Sequence, residues 1–172
     1  MKKAELAITR VAPRYVSLLQ IHGSDSTEIA PLVVRILHAS DAGRSPTSRA
    51  YSVGPSDWLL VDYSLSDMRR RLSADLGRAL VRLTDVSAEF TTLRVEGAFA
   101  RTVLGSDIGA SCAVMTARAG EYAQTRLAQI EVILHCIGPD SFELHVDRSV
   151  AEDLETWLVV QHEAHTSNRI VQ

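Results

Sequence analysis

The chain has 172 residues, 46 % hydrophobic and 23 % charged, which is ordinary globular usage and excludes a disordered composition. Its formal charge of −3, from 18 basic and 21 acidic side chains, supplies no general field for a nucleic acid backbone or an anionic membrane. Two cysteines, Cys112 and Cys136, match neither a zinc knuckle nor a dense disulfide framework, so reduced thiols in a cytoplasm are expected.

The opening "MKKAELAITR" has the basic start of a signal peptide but no apolar stretch after it. No run approaches the length that spans a bilayer, so a soluble, non-exported, cytoplasmic protein is expected. The first predicted strand is 14–21, "RYVSLLQI", which is rich in β-branched and large apolar residues and ends in the turn formers "HGSDS". Pro31 suits the first position of a helix, and Leu32, Val33, Ile36 and Leu37 give about two turns one apolar face. Residues 39–49, "ASDAGRSPTSR", hold turn formers and almost nothing apolar, which predicts a flexible loop. A hairpin of 48–53 and 58–63 follows around Gly54-Pro55, then a helix presenting Met68, Leu72 and Leu76 until Gly77 stops it. A linking strand is expected near 79–86.

Residues 90–97, "FTTLRVEG", alternate Leu93 and Val95 with polar residues, the period of a half-buried strand. "AFARTVLG" reads as a short helix with Phe99 and Val103 on one side and Gly105 at its end. "GASCAVMTARAGE" reads as irregular, with a short strand at 113–117. Strands are predicted at 122–127, at 129–137, and through Phe142, Leu144 and Val146. Ser149 followed by Glu152 has capping-box spacing, and Val150, Leu154, Trp157 and Leu158 give the last helix its buried stripe. The segment 161–172 is expected to be a polar, fraying tail.

One order of signals occurs twice. Gly54-Pro55, two spacers and Trp58 are followed by a strand, a serine in cap position and a helix; Gly138-Pro139, two spacers and Phe142 lead through the same order. The expectation is one domain over 1–172 containing a pseudo-repeat, about 14–77 and about 88–160. The class is α+β: two similar subdomains with mixed or antiparallel sheets and flanking helices.

The same residues yield no catalytic, cofactor-binding or metal-ligating set. The histidines of "HEAH", His162 and His165, lack the spacing of a zincin helix. Gly97, Gly105 and Gly109 form neither a dinucleotide fingerprint nor a phosphate loop and read as turns and helix stops. Arg69, Arg70 and Arg71, consecutive on a helix, spread around it instead of forming a clamp. His135 and Cys136 point to opposite faces of one strand, which predicts a surface imidazole and a core thiol. Asp57, Asp62, Asp85 and Asp107 could each act as a general acid or base but have no visible partner. The residues singled out are therefore structural: Gly54, Pro55, Trp58, Gly138, Pro139, Phe142, Ser149 and Glu152.

"VGPSDWLLV", "FTTLRVEGAFARTVLGSDIG" and "YAQTRLAQIEVILHCIGPDSFELHVDRSVAEDLETWL" together resemble the gamma subunit of heterotetrameric sarcosine oxidase over roughly residues 14–160. Asp57 stands where glutamate is more common in that family. The resemblance implies a fold related to the folate-binding aminomethyltransferases and a non-catalytic chain that assembles and stabilises a flavin-dependent complex. It places FAD, FMN, NAD, folate and zinc in the partner alpha, beta and delta subunits, with no cofactor in this chain. A similar gamma chain serves methylglutamate dehydrogenase and other N-demethylating complexes, so the substrate could be sarcosine or another N-methyl amino acid. A generic interaction module is the reading from outside this class.

Overall fold

The computed structural model describes residues 6–11, 15–22, 26–38, 47–76 and 80–167. The chain divides into two units, Met1–Ala12 with Ala88–Gln172, and Pro13–Ser87. Each is an antiparallel sheet whose apolar face is covered by helices, so the fold is α+β with two antiparallel sheets. The first strand, β1 (Ala7–Val11), was not among the predicted elements, and it pairs with a strand far along the chain in the larger unit.

The smaller unit holds β2 (Val16–His22), α1 (Ser26–His38), β3 (Arg49–Gly54), β4 (Asp57–Val61), α2 (Leu65–Leu76) and β5 (Leu80–Asp85), with sheet order β3-β4-β2-β5. Leu19, Ile21, Trp58 and Leu60 of the sheet meet Val33, Ile36 and Leu37 of α1 and Met68 and Leu72 of α2. Pro31 lies inside α1, not at its start, so the helix is longer than the proline suggested. The core contacts of Ile29, Val33, Ile36 and Leu37 offset the one backbone hydrogen bond that the ring removes. Residues 39–46 of the predicted loop lie outside the described residues. Its end is anchored: Ser48 is buried with its hydroxyl donating to Asp62 O at 2.9 Å, and β3 begins at Arg49. Ser64 caps α2, its Oγ 3.5 Å from the backbone N of Asp67.

The larger unit adds β6 (Phe90–Glu96), α3 (Ala100–Leu104), α4 (Ile108–Thr116), β7 (Tyr122–Leu127), β8 (Ile130–Gly138), β9 (Ser141–Asp147), a 3-10 turn (Arg148–Val150) and α5 (Ala151–Ser167). Its strand order is β1-β6-β9-β8-β7. Leu93, Val95, Leu134, Phe142 and Leu144 pack against Val103 and Leu104 of α3, Val114 of α4, and Leu154 and Leu158 of α5. Four expectations are corrected here. The stretch predicted to be irregular with a strand at 113–117 is the helix α4. The Asp107 carboxylate accepts from the backbone N of Gly109 at 2.7 Å and starts that helix, which small residues line so evenly that no amphipathic stripe marks it. Gly109 accordingly lies within the first turn of α4 and is not a stop. The Ser149–Glu152 box is replaced by Asp147, whose carboxylate accepts from both the backbone N and the hydroxyl of Ser149, at 2.7 and 2.6 Å. Finally, α5 does not fray after residue 160 but runs to Ser167, with Ser106 Oγ reaching Gln161 and Phe99 edge-on to His162.

The two sheets share one register. Ser52 faces Trp58 and Gly54 faces Asp57 across the first Gly-Pro turn; Cys136 faces Phe142 and Gly138 faces Ser141 across the second, with the same register shift in each hairpin. On the other flank, Leu19 faces Trp58 and Val95 faces Phe142. The backbone N of Ile21 donates to Ser56 O, and that of Gly97 donates to Asp140 O at the matching place. The next strand outward is β5 beside β2, and β1 beside β6. The smaller unit thus takes its flanking strand from after its helix, and the larger takes it from the start of the chain.

Candidate functional site

In β6, Leu93 and Val95 turn toward the helices, which sends Thr92, Arg94 and Glu96 to the opposite face of the sheet. In β9, Phe142, Leu144 and Val146 do the same and leave Ser141, Glu143 and His145 beside them. Register then pairs polar with polar: Glu96 with Ser141, Arg94 with Glu143, Thr92 with His145. Ser141 Oγ donates to Glu96 Oε1 at 2.7 Å, Arg94 Nη2 to Glu143 Oε1 at 2.6 Å, and Thr92 Oγ1 lies 2.8 Å from His145 Nδ1. β8 extends two of these rows, placing His135 beside Glu143 and Ile133 beside His145.

This polar face brings ionisable and hydrogen-bonding side chains of β6, β8 and β9 together. His135 and His145 are 4 % and 3 % exposed, so the expectation of a surface imidazole at 135 is corrected. The hydrogen bond to Glu143 raises the Arg94 guanidinium above its ordinary pKa, while desolvation pulls the other way. Arg94, Glu143, Thr92 and His145 are all engaged within their own rows. Such an arrangement holds strands in register, with the Thr92 hydroxyl against the His145 imidazole and both side chains buried. At the equivalent rows of the smaller unit stand Val16 with Val61, Leu18 with Leu59 and Gln20 with Asp57, so two of the polar rows belong to the larger unit alone and the row next to the Gly-Pro turn is polar in both.

On the helical face Arg101 is a structural hub. Its guanidinium donates to Val114 O, to Ala117 O at 3.2 Å and to Pro139 O at 3.2 Å, and sits 5.0 Å over the Phe142 ring. It thereby ties the end of α4 to the second Gly-Pro turn. Cys136 is a buried free thiol 3.8 Å from the same guanidinium; the side chain of Cys112 lies outside what the structure describes.

The remaining candidates disperse. Asp107 caps α4 and also accepts from the backbone N of Ala128 at 2.9 Å, and Asp85 accepts from Ser87. Asp57 and Asp62 lie at the two ends of β4, Asp62 with a positive φ of 58°. Arg70 pairs with Asp67, while Arg69 donates to Leu83 O, so the arginine run is split between partners as the helical spacing requires. His165 Nδ1 contacts Gln161 O at 2.7 Å, and the ring lines a cleft of about 430 Å³ with Ala98, Phe99 and Thr102. Among the described residues no group of three or more His, Cys, Asp or Glu is arranged to hold a metal ion, and no helix is long and apolar enough to cross a membrane.

The whole-chain backbone can be set beside solved structures. Heterotetrameric sarcosine oxidase from Corynebacterium sp. U-96, in complex with pyrrole 2-carboxylate, contains a chain that is similar with a TM-score of 0.67 and 22 % identity, covering 92 % of this chain and 84 % of that one. The glycine cleavage system aminomethyltransferase T of Bartonella henselae is similar with a TM-score of 0.55 and 14 % identity over 92 % of this chain. The fold is of the aminomethyltransferase type. The chain spans about half, 46 %, of the aminomethyltransferase itself. No family model matches the sequence, and no curated protein matches it.

The eight residues singled out from sequence fall into two groups. Gly54, Pro55 and Trp58, and Gly138, Pro139 and Phe142, build the two equivalent hairpins. Ser149 and Glu152 lie in the turn before α5 and in its first turn. The polar face was missed. Its signal was the alternation of Thr92, Arg94 and Glu96 and of Ser141, Glu143 and His145, each of which alone reads as a solvated strand face.

Proposed function

We propose that the chain is a non-catalytic, gamma-type subunit of a flavin-dependent, sarcosine oxidase-like complex that oxidatively demethylates sarcosine or a related N-methyl amino acid. Its role is to assemble and stabilise the larger subunits, which carry the FAD, FMN, NAD, folate and zinc. The observation that carries the reading is the similarity of nearly the whole chain to nearly a whole chain of a sarcosine oxidase. The closed pairs of the polar face fit a supporting role. So does the repeat of one hairpin register in the two units.

The test is to co-express alpha-, beta- and delta-type oxidase subunits from the same source with and without this chain. The expected result is a flavin-containing complex that incorporates the chain stoichiometrically and falls sharply in yield without it. Equal yield of an active complex lacking the chain would refute the role.

A further inference from the structure

Helix α5 buries Leu154 and Leu158 against the larger unit's core and half-buries Trp157 beside them. At 100° per residue the opposite side carries Glu152, Thr156, Val159, Val160 and Glu163 within an arc of about 100°. All five are exposed, the two valines at 46 % and 52 %. Valine is a weak helix former, and its usual compensation is burial. Here two adjacent valines give up propensity without that return. On α1 the exposed Leu32 and Val34 are two positions apart and so point about 200° away from each other, forming no patch. On α4, Met115 is exposed alone.

The charges around the valines select what can cover them. Every charged side chain in that arc is a carboxylate, and α5 contains no lysine or arginine. A second copy packed antiparallel on the same face would set Glu152 against the copy's Glu163, like charge on like charge. An anionic lipid surface or a nucleic acid is repelled in the same way. A protein groove with an apolar floor and lysine or arginine at its edges satisfies both features, in the manner of a helix laid into a groove with anchors at i, i+3 or i+4 and i+7. The helix is already fixed for this by its own core contacts and by the Arg10–Glu155 pair, 2.6 Å between Nε and Oε1.

We infer that the Glu152–Thr156–Val159–Val160–Glu163 face of α5 docks the chain onto a larger subunit of its complex, through an apolar groove edged by basic side chains. This rests on the proposed subunit role and adds the surface that performs it.

The test compares wild type, Val159→Glu/Val160→Glu, Glu152→Lys/Glu163→Lys and, as a surface control, Val34→Glu. Each is co-expressed with the flavoprotein subunits and analysed by size exclusion with light scattering and by titration of the separated components. Both α5 variants should keep the wild-type circular dichroism, Glu152→Lys/Glu163→Lys melting slightly lower because Glu152 stands in the first turn of α5, and both should bind at least about tenfold more weakly, which is about 1.4 kcal/mol. Val34→Glu should bind as wild type. Unchanged affinity of both α5 variants, with wild type bound, overturns the docking face and leaves the subunit role standing. Failure of wild type itself to bind overturns both. A wild-type dimer that the valine variant dissolves replaces the partner by a second copy and also overturns the inference.

Discussion

Trp58 and Phe142 occupy the same place in two different sheets: each lies in the second strand of a Gly-Pro hairpin, faces a residue across a shifted register, and is buried toward helices. On its other flank Trp58 faces Leu19 and Phe142 faces Val95, both fully buried. Truncation should therefore be equally damaging in both. Trp58→Ala and Phe142→Ala are each expected to cost about 3–5 kcal/mol, the range for buried aromatics. Chemical denaturation of the two variants measures this, and a loss below about 1 kcal/mol at either site contradicts the equivalence.

The shared register also exposes a mismatch. Ser17 stands in β2 where Leu93 stands in β6, facing Leu60 as Leu93 faces Leu144. Ser17 is buried and its hydroxyl has no hydrogen-bond partner. Removing an unsatisfied buried hydroxyl relieves a desolvation cost, so Ser17→Ala should raise stability by about 1 kcal/mol. A fall of that size in the denaturation midpoint would show that the hydroxyl has a partner after all.

Much of this architecture was legible because it is written in local chemistry. The Gly-Pro turns, the alternation in 90–97 and 129–137, and the periodic leucines of α2 and α5 each fix an element without reference to the rest of the chain. What could not be read depended on distant partners. β1 is a five-residue stretch with mixed burial that becomes a strand only beside β6, some 80 residues on. α4 lacks an apolar stripe and is held by Asp107 and by Arg101 at its end, neither of which its own periodicity reports. The polar face needed the β6–β9 register before Thr92 and His145, or Arg94 and Glu143, became pairs.

The β7–β8 turn carries a local conflict. Ala128 and Gln129 both have positive φ, 52° and 66°, which side chains with a Cβ resist and for which hairpins ordinarily use asparagine and glycine. Ala128→Asn/Gln129→Gly should stabilise the protein by about 1 kcal/mol and keep the bond from the backbone N of residue 128 to Asp107. Thermal unfolding reports the gain, and a lower midpoint would contradict the assigned turn.

Two aspartates give stability a defined acid dependence. The Ser87 hydroxyl, then its backbone N–H, holds the Asp85 carboxyl below the usual range, and Ser149 does the same for Asp147. A depressed carboxyl pKa contributes stability that is fully present above the unfolded value, about pH 4, and is lost as pH falls through the folded value. Ser87→Ala and Ser149→Ala should each be less stable than wild type near pH 7, with the hydroxyl's pKa-linked share of that difference disappearing at about pH 2. Both carboxylates are exposed, so the effect is small, and urea midpoints across that range resolve it. A deficit that grows on acidification would reverse the assigned sign.

The central claim is that this chain acts by assembly and not by chemistry of its own. It is tested most directly by recording the visible absorption and the N-methyl amino acid oxidation rate of the chain purified alone and of the chain co-purified with flavoprotein subunits. The account predicts a colourless, inactive chain alone and a yellow, active preparation only with its partners. A yellow preparation of the isolated chain that oxidises an N-methyl amino acid would contradict it.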